Sequence, residues 1–171
     1  LHLYDNAFDI IAGGLRLKPA WIRSDRPISE FVNSSTRSRE IDIDEQYNQQ
    51  VKGLYSDIID YMSEAQPSMS SGQSEELFAL RSAGRDLVGA IKDIKHLQKN
   101  LERYMMSPNP AIRDEYQSIR GQLTSVLRGL ELVRHDGDDS AMVLSLDELK
   151  VEMDEIDDLL DSTVDRLIRK N

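Results

Sequence analysis

The chain has 171 residues, a net charge of -10 and no cysteine. Without thiols it can form neither disulfides nor thiolate metal sites, and three histidines are too few for a His-rich metal centre. The excess of 31 acids over 21 bases opposes a general affinity for nucleic acid or anionic lipid, because both bind through Lys and Arg. We therefore expect no nucleic-acid partner. The length suits a single domain over residues 1–171.

Residues 1–40 predict a short helix followed by an irregular connector. Leu3, Ala7 and Ile10 allow a helix near residues 2–17, and the glycines and prolines that follow oppose its continuation. Five apolar side chains in the connector are expected to fold it back onto the other helices: Trp21, Ile22, Ile28, Phe31 and Val32.

Residues 41–171 contain four long segments whose apolar residues recur at alternating spacings of three and four. This period predicts helices near 42–65, 74–106, 110–135 and 145–169. Asp42 with Glu45, Asn109 before Pro110, and Ser145 with Glu148 mark helix starts. Helices of this length joined by short turns predict an all-α fold, an up-and-down antiparallel bundle of four long helices with a short N-terminal helix.

Charge is unevenly distributed along the long helices. Ten bases and six acids lie between residues 81 and 134, whereas twelve acids and one base lie between 136 and 165. Two interpretations stay open: the two solvated faces complement each other, or the acidic stretch binds a cation. Carboxylates four residues apart on a helix can share a divalent or iron cation through hard oxygen ligands. The candidates are Asp154, Asp158, Asp161 and Asp165, and Asp5 with Asp9 has the same spacing.

A row of cations follows the predicted helix 74–106. It comprises Arg81, Arg85, Lys92, Lys95, Lys99 and Arg103, and it could attract an anion such as phosphate or an acidic partner. We take Arg85, Lys92, Lys95 and Lys99 as the candidate contact residues; the alternative is a solvated face. The sequence has no Gly-x-Ser-x-Gly elbow, no glycine-rich phosphate loop and no His-Glu-x-x-His motif, so we do not expect an enzyme.

Three stretches resemble one known family. They are Leu3-Tyr4-Asp5-Asn6-Ala7-Phe8-Asp9-Ile10-Ile11 with Gly14-Leu15-Arg16-Leu17; Leu87-Val88-Gly89-Ala90-Ile91-Lys92-Asp93-Ile94-Lys95-His96-Leu97-Gln98-Lys99-Asn100-Leu101; and Pro108-Asn109-Pro110-x-Ile112-Arg113-x-x-Tyr116-x-x-Ile119-Arg120. They look like the PhoU-like domain at the C-terminal end of bacterial sodium/phosphate cotransporter family proteins.

The resemblance implies a PhoU-like fold and a regulatory domain on the cytoplasmic side of the inner membrane. Its partner would be the membrane-embedded transporter portion of the same chain, and it would modulate phosphate transport through protein contact. A sequence that begins at Leu1 without Met fits such a domain. PhoU proteins hold metal through an acidic residue four positions before an Asp. Here the residue four positions before Asp86 is Ser82, and the residue four positions before Asp93 is Gly89. The resemblance therefore does not predict metal at that motif.

Two other functions remain open from the sequence. One is a free-standing metal-binding helical bundle, for which a divalent or iron cation is the candidate and no cofactor is certain. The other is a signalling bundle that forms a homodimer, since heptad spacing also serves seams between chains.

Overall fold

The computed structural model describes residues 1–33, 37–135 and 151, and the described residues form helices with no strand. In chain order these are α1 (His2–Gly14), α2 (Pro19–Ile22), a 3₁₀ turn (Ile28–Glu30), α3 (Ile43–Gln50), α4 (Lys52–Ala65), a second 3₁₀ turn (Gln66–Ser68), α5 (Ser71–Met105) and α6 (Pro110–His135). The predicted all-α class is confirmed. The predicted helix 145–169 lies outside the described residues.

The first helix lies at the centre of the fold. Nine of its thirteen residues are buried, among them Phe8 and Ile11, and it packs against α5, α3 and α2. Two glycines at its end allow close approach: a Cβ at Gly14 would overlap Cγ2 of Ile94 on α5 and lie 3.0 Å from Cδ1 of Ile43. A short helix buried on most sides acts as the core around which the longer helices assemble.

The first helix ends three residues earlier than the predicted range 2–17. Arg16 has a φ of 60°. The amide of Leu17 donates to the carbonyl of Ala12, and the amide of Arg16 donates to the carbonyl of Gly13. This is a Schellman motif, in which the left-handed residue is usually glycine. The Arg16 side chain forms an ion pair with Glu102 (3.2 Å), which helps to offset the cost of its backbone conformation.

The connector folds back onto the other helices as predicted, with Ile22 and Phe31 fully buried, and the helix that it contacts is α6. Arg120 of α6 is also fully buried, and its guanidinium holds the connector through backbone carbonyls. Its Nε donates to Leu15 (2.7 Å), Nη2 to Arg16 (2.9 Å), and Nη1 to Val32 (2.7 Å). The irregular backbone thereby obtains the hydrogen bonds that a helix would have supplied.

Two turns further along α6, Arg128 repeats this arrangement. Its three nitrogens donate to the carbonyls of Trp21 (3.1 Å), Ile22 (3.0 Å) and Arg26 (2.7 Å). The guanidinium also lies 5.4 Å from the ring centre of Phe31. Arg120 thus attaches both ends of residues 15–33 to α6, and Arg128 attaches the middle of this segment.

The predicted helix 42–65 is wrong as a single element, because it is interrupted at Val51. This residue has φ -119° and is fully buried. Its amide still donates to the carbonyl of Tyr47, and its carbonyl accepts from Tyr55, so α3 and α4 meet at a bend with the hydrogen-bond ladder preserved. Burial of the Val51 side chain is the tertiary interaction associated with the bend.

α5 and α6, the two longest of the described helices, form a hairpin. Asn109 caps α6 as predicted, with Oδ1 accepting from the amide of Ala111 (3.0 Å). α5 begins at Ser71, three residues before the predicted start, because Ser70 and Gln73 form a capping box. Its buried residues begin only at Ala83, and Phe78 is 74% exposed. Among the described residues, no helix has the length and apolar character needed to cross a membrane.

Candidate functional site

One exposed face of α5 carries a row of cations, which we call the basic stripe: Arg81, Arg85, Lys92, Lys99 and Arg103. Their spacings of four and seven residues place them within about 40° around the helix, at 3.6 residues per turn. At 1.5 Å per residue the stripe is about 33 Å long. All five residues are exposed. The stripe is therefore a line of positive charge along one face of α5.

Three of the four predicted contact residues, Arg85, Lys92 and Lys99, belong to the basic stripe. Lys95 lies beside the basic stripe and forms an ion pair with Asp44, with its Nζ 2.6 Å from Oδ2 of that residue. A groove of about 520 Å³ separates this part of α5 from residues 39–44. Gln98 spans the groove by donating to the carbonyl of Ile41 (3.1 Å). Acids and bases both line this groove, which does not present one sign of charge to a ligand.

Half of the ten bases between residues 81 and 134 make contacts inside the fold. Lys95 pairs with Asp44, Arg113 donates to the Ser107 carbonyl, Arg134 pairs with Asp5, and Arg120 and Arg128 bind the connector. The other five are the basic stripe. Within the described ranges, none of these five forms an ion pair with a carboxylate. Arg85 donates to the Ser82 hydroxyl (3.3 Å), and Arg103 lies over the Tyr104 ring.

Two residues that the sequence argument did not assign to this surface share its face. His96 is exposed one turn after Lys92, and the 74% exposed Phe78 lies three residues before Arg81. Phe78 and Arg81 also line a small cavity of about 150 Å³. The same spacing of three and four that marks a buried stripe would have identified them, if applied to the polar face. The surface therefore has an aromatic end.

The predicted aspartates, Asp154, Asp158, Asp161 and Asp165, lie outside the described residues. Within residues 1–33 and 37–135, no three His, Asp or Glu side chains converge as a metal site requires. The other acidic pair, Asp5 and Asp9, is engaged by arginines. Asp5 Oδ1 lies 2.7 Å from Arg134, and Asp9 Oδ1 accepts from Arg23 (3.3 Å).

These residues form an ionic cluster where α1 meets the end of α6. Its centre is Glu131, which is only 4% exposed. Glu131 Oε1 accepts from the Tyr4 hydroxyl (3.1 Å), and Oε2 lies 3.4 Å from Nε of Arg23. Arg23 stacks 4.4 Å from the Phe8 ring centre, which fixes its position. The cluster joins α1, the connector and α6 through charge-assisted contacts.

Two members of the cluster, Tyr4 and Asp9, have shifted pKa values. Burial, reinforced by the negative charge of Glu131, raises the pKa of the Tyr4 hydroxyl far above its ordinary value, so the phenol keeps its proton and donates. Burial also raises the pKa of Asp9, and the positive charge of Arg23 opposes this shift only in part.

Burial lowers the pKa of the Arg120 guanidinium to about 10, and the positive charges of Arg37 and Arg16 contribute to this shift. That guanidinium therefore remains charged at neutral pH.

Comparisons of the chain with protein-family models, curated proteins and solved structures find no match.

Proposed function

We propose that this chain is a PhoU-like regulatory domain of a sodium-dependent inorganic phosphate transporter, on the cytoplasmic side of the inner membrane. In this proposal it acts through protein contact and catalyses no reaction. The finer architecture, an antiparallel bundle of four long helices in the PhoU-like arrangement, is part of the same proposal.

One observation supports the proposal most strongly: the stretches that carry the resemblance pack against each other. The first stretch forms α1 and its Schellman turn, and the second forms the middle of α5. They meet where Gly14 approaches Ile94 too closely to admit a Cβ. The third stretch supplies the turn into α6 and Arg120, which binds the turn after α1. The residues of the resemblance thus form one interacting unit.

The main charged surface of the described residues does not have the form of a site for a small anion, which is consistent with a domain that regulates by contact. This surface is the basic stripe, whose charges are spread along about 33 Å of helix and do not converge on one point. Between Arg85 and Lys92 alone, the rise along the axis is about 10 Å, which exceeds the span of one phosphate ion. Such a surface recognises an extended partner.

The proposal is tested in the parent gene. The reading frame immediately upstream of Leu1 should encode several runs of about 20 apolar residues, the length that crosses a bilayer. Removal of residues 1–171 should then change sodium-driven uptake of labelled phosphate, or the response of that uptake to phosphate supply, at unchanged abundance of the membrane portion. Unchanged uptake and unchanged response would refute the regulatory role.

A pair of point variants makes the test specific for the fold. Gly14→Leu forces α1 away from Ile94, so it should reproduce the effect of the deletion. Gly129→Ala, on α6, adds a Cβ that meets nothing within 4 Å and should leave uptake as in the wild type. Equal effects of the two variants would mean that the α1–α5 contact is not what matters.

A further inference from the structure

We propose that the basic stripe is a docking face for the surface of an anionic lipid bilayer, with Phe78 inserting at one end. The inference rests on the proposed function, which places this domain beside a membrane. It names the partner of a surface that the proposed function leaves open.

The arrangement of the charges favours an extended surface. All five cations lie within about 40° of one another around a single helix, so one extended surface can contact all of them together. Basic residues near an anionic leaflet each contribute favourably, and their contributions add along a row. A small anion could reach only one or two of them.

The composition of the face distinguishes a bilayer from an acidic protein. Protein interfaces have a buried core from which Lys is depleted, surrounded by a polar rim. Along the stripe from Arg81 to Arg103 the exposed side chains are charged or polar, and large exposed apolar side chains lie only beyond its ends, the aromatic Phe78 before Arg81 and Met106 after Arg103. Adsorption to a charged bilayer requires no apolar core, and one terminal aromatic suits the interfacial region.

The net charge of -10 does not prevent this contact. At physiological ionic strength the Debye length is about 8 Å, so charges on the far side of the domain are screened from a surface that touches α5. Acidic charge elsewhere instead orients the domain, because faces rich in carboxylates are repelled. We therefore expect binding through this face alone and a steep decrease in binding with added salt.

Co-sedimentation of the purified chain with vesicles tests the proposal. The chain should bind phosphatidylcholine vesicles that contain phosphatidylserine and should not bind vesicles of pure phosphatidylcholine. The triple variant Arg85→Gln, Lys92→Gln, Lys99→Gln should lower the partition coefficient about a hundredfold. Phe78→Ala should lower the partition coefficient about tenfold, and the size of this loss should depend little on salt concentration.

The matched control removes the same charge from other exposed positions. Lys18→Gln, Arg39→Gln, Lys52→Gln should bind within a few-fold of the wild type. Circular dichroism verifies that both triple variants fold. An equal loss in the two variants, or no dependence on phosphatidylserine, would overturn the proposal. The proposal would also be overturned if a photo-crosslinker at Lys92 labels a protein in cells and the purified chain does not bind vesicles.

The outcome separates this inference from the proposed function. If deletion of residues 1–171 alters phosphate uptake but vesicles are not bound, the regulatory role stands and the lipid face is wrong. If vesicles are bound through the basic stripe but uptake is unaffected by the deletion, the lipid face stands and the regulatory role is wrong.

Discussion

Replacement of the buried Arg120 by methionine should destabilise the domain, because it removes the donors that hold the connector. Methionine is similarly long and unbranched, so the main loss is of hydrogen bonds. The carbonyls of Leu15 and Val32 each lose a contact of 2.7 Å. The carbonyl of Arg16 keeps the amide of Ser38 as a donor at 2.9 Å. Two carbonyls therefore bear most of the cost.

The magnitude follows from those two carbonyls. A hydrogen bond to a charged group contributes about 1.5–3 kcal/mol, and an unsatisfied buried carbonyl costs about 1–3 kcal/mol. The loss is offset in part because a cation no longer has to be buried. We expect the free energy of unfolding to fall by about 3 kcal/mol. For a domain of this size that lowers Tm by about 6–12 °C.

Guanidinium denaturation followed by far-UV circular dichroism measures the change. Arg120→Lys keeps the positive charge but cannot reach several carbonyls with one nitrogen, so it should also destabilise the domain. Arg81→Met, at an exposed position of the same residue type, should change stability by less than about 0.5 kcal/mol. Amide hydrogen exchange in residues 15–33 should accelerate in Arg120→Met. A variant as stable as the wild type, with unchanged exchange there, would refute the assigned role.

Two further predictions concern α1 and the ionic cluster. Gly14→Ala should destabilise the domain by about 1–3 kcal/mol in denaturant titration, because its Cβ overlaps Ile94, whereas Gly129→Ala should stabilise it by about 0.5–1 kcal/mol. Since the pKa of Asp9 is raised in the folded state, its contribution to stability is present below pH 3.8 and lost as the pH rises through the raised pKa. Asp9→Asn should therefore gain stability relative to the wild type between acid and neutral pH; a loss over that range would show that the ion pair with Arg23 dominates.

Local signals in the sequence were sufficient to place most helix ends. The side chain of Asp42 accepts from the amide of Glu45 (3.0 Å), and Asn109 caps α6, as their residue types and spacing predict. These caps depend on neighbours three residues away or fewer. The bend at Val51 was not predictable in this way, because it accompanies the full burial of a side chain, which depends on the tertiary fold. The left-handed conformation of Arg16 was also not predictable from local signals, because glycine is the residue that usually adopts it.

The candidate surface could be predicted only in part, because the sequence cannot show which cations the fold uses internally. Lys95 and Lys92 are three residues apart, yet one pairs with Asp44 and the other is exposed and makes no described ion pair. On α6, Arg120 is buried because the irregular connector presents carbonyls that need donors. A count of bases therefore overstates the charge available to a partner. Once the internally bound cations are set aside, the remaining positive charge between residues 81 and 134 lies on one face of α5, which is the reason to test that face first.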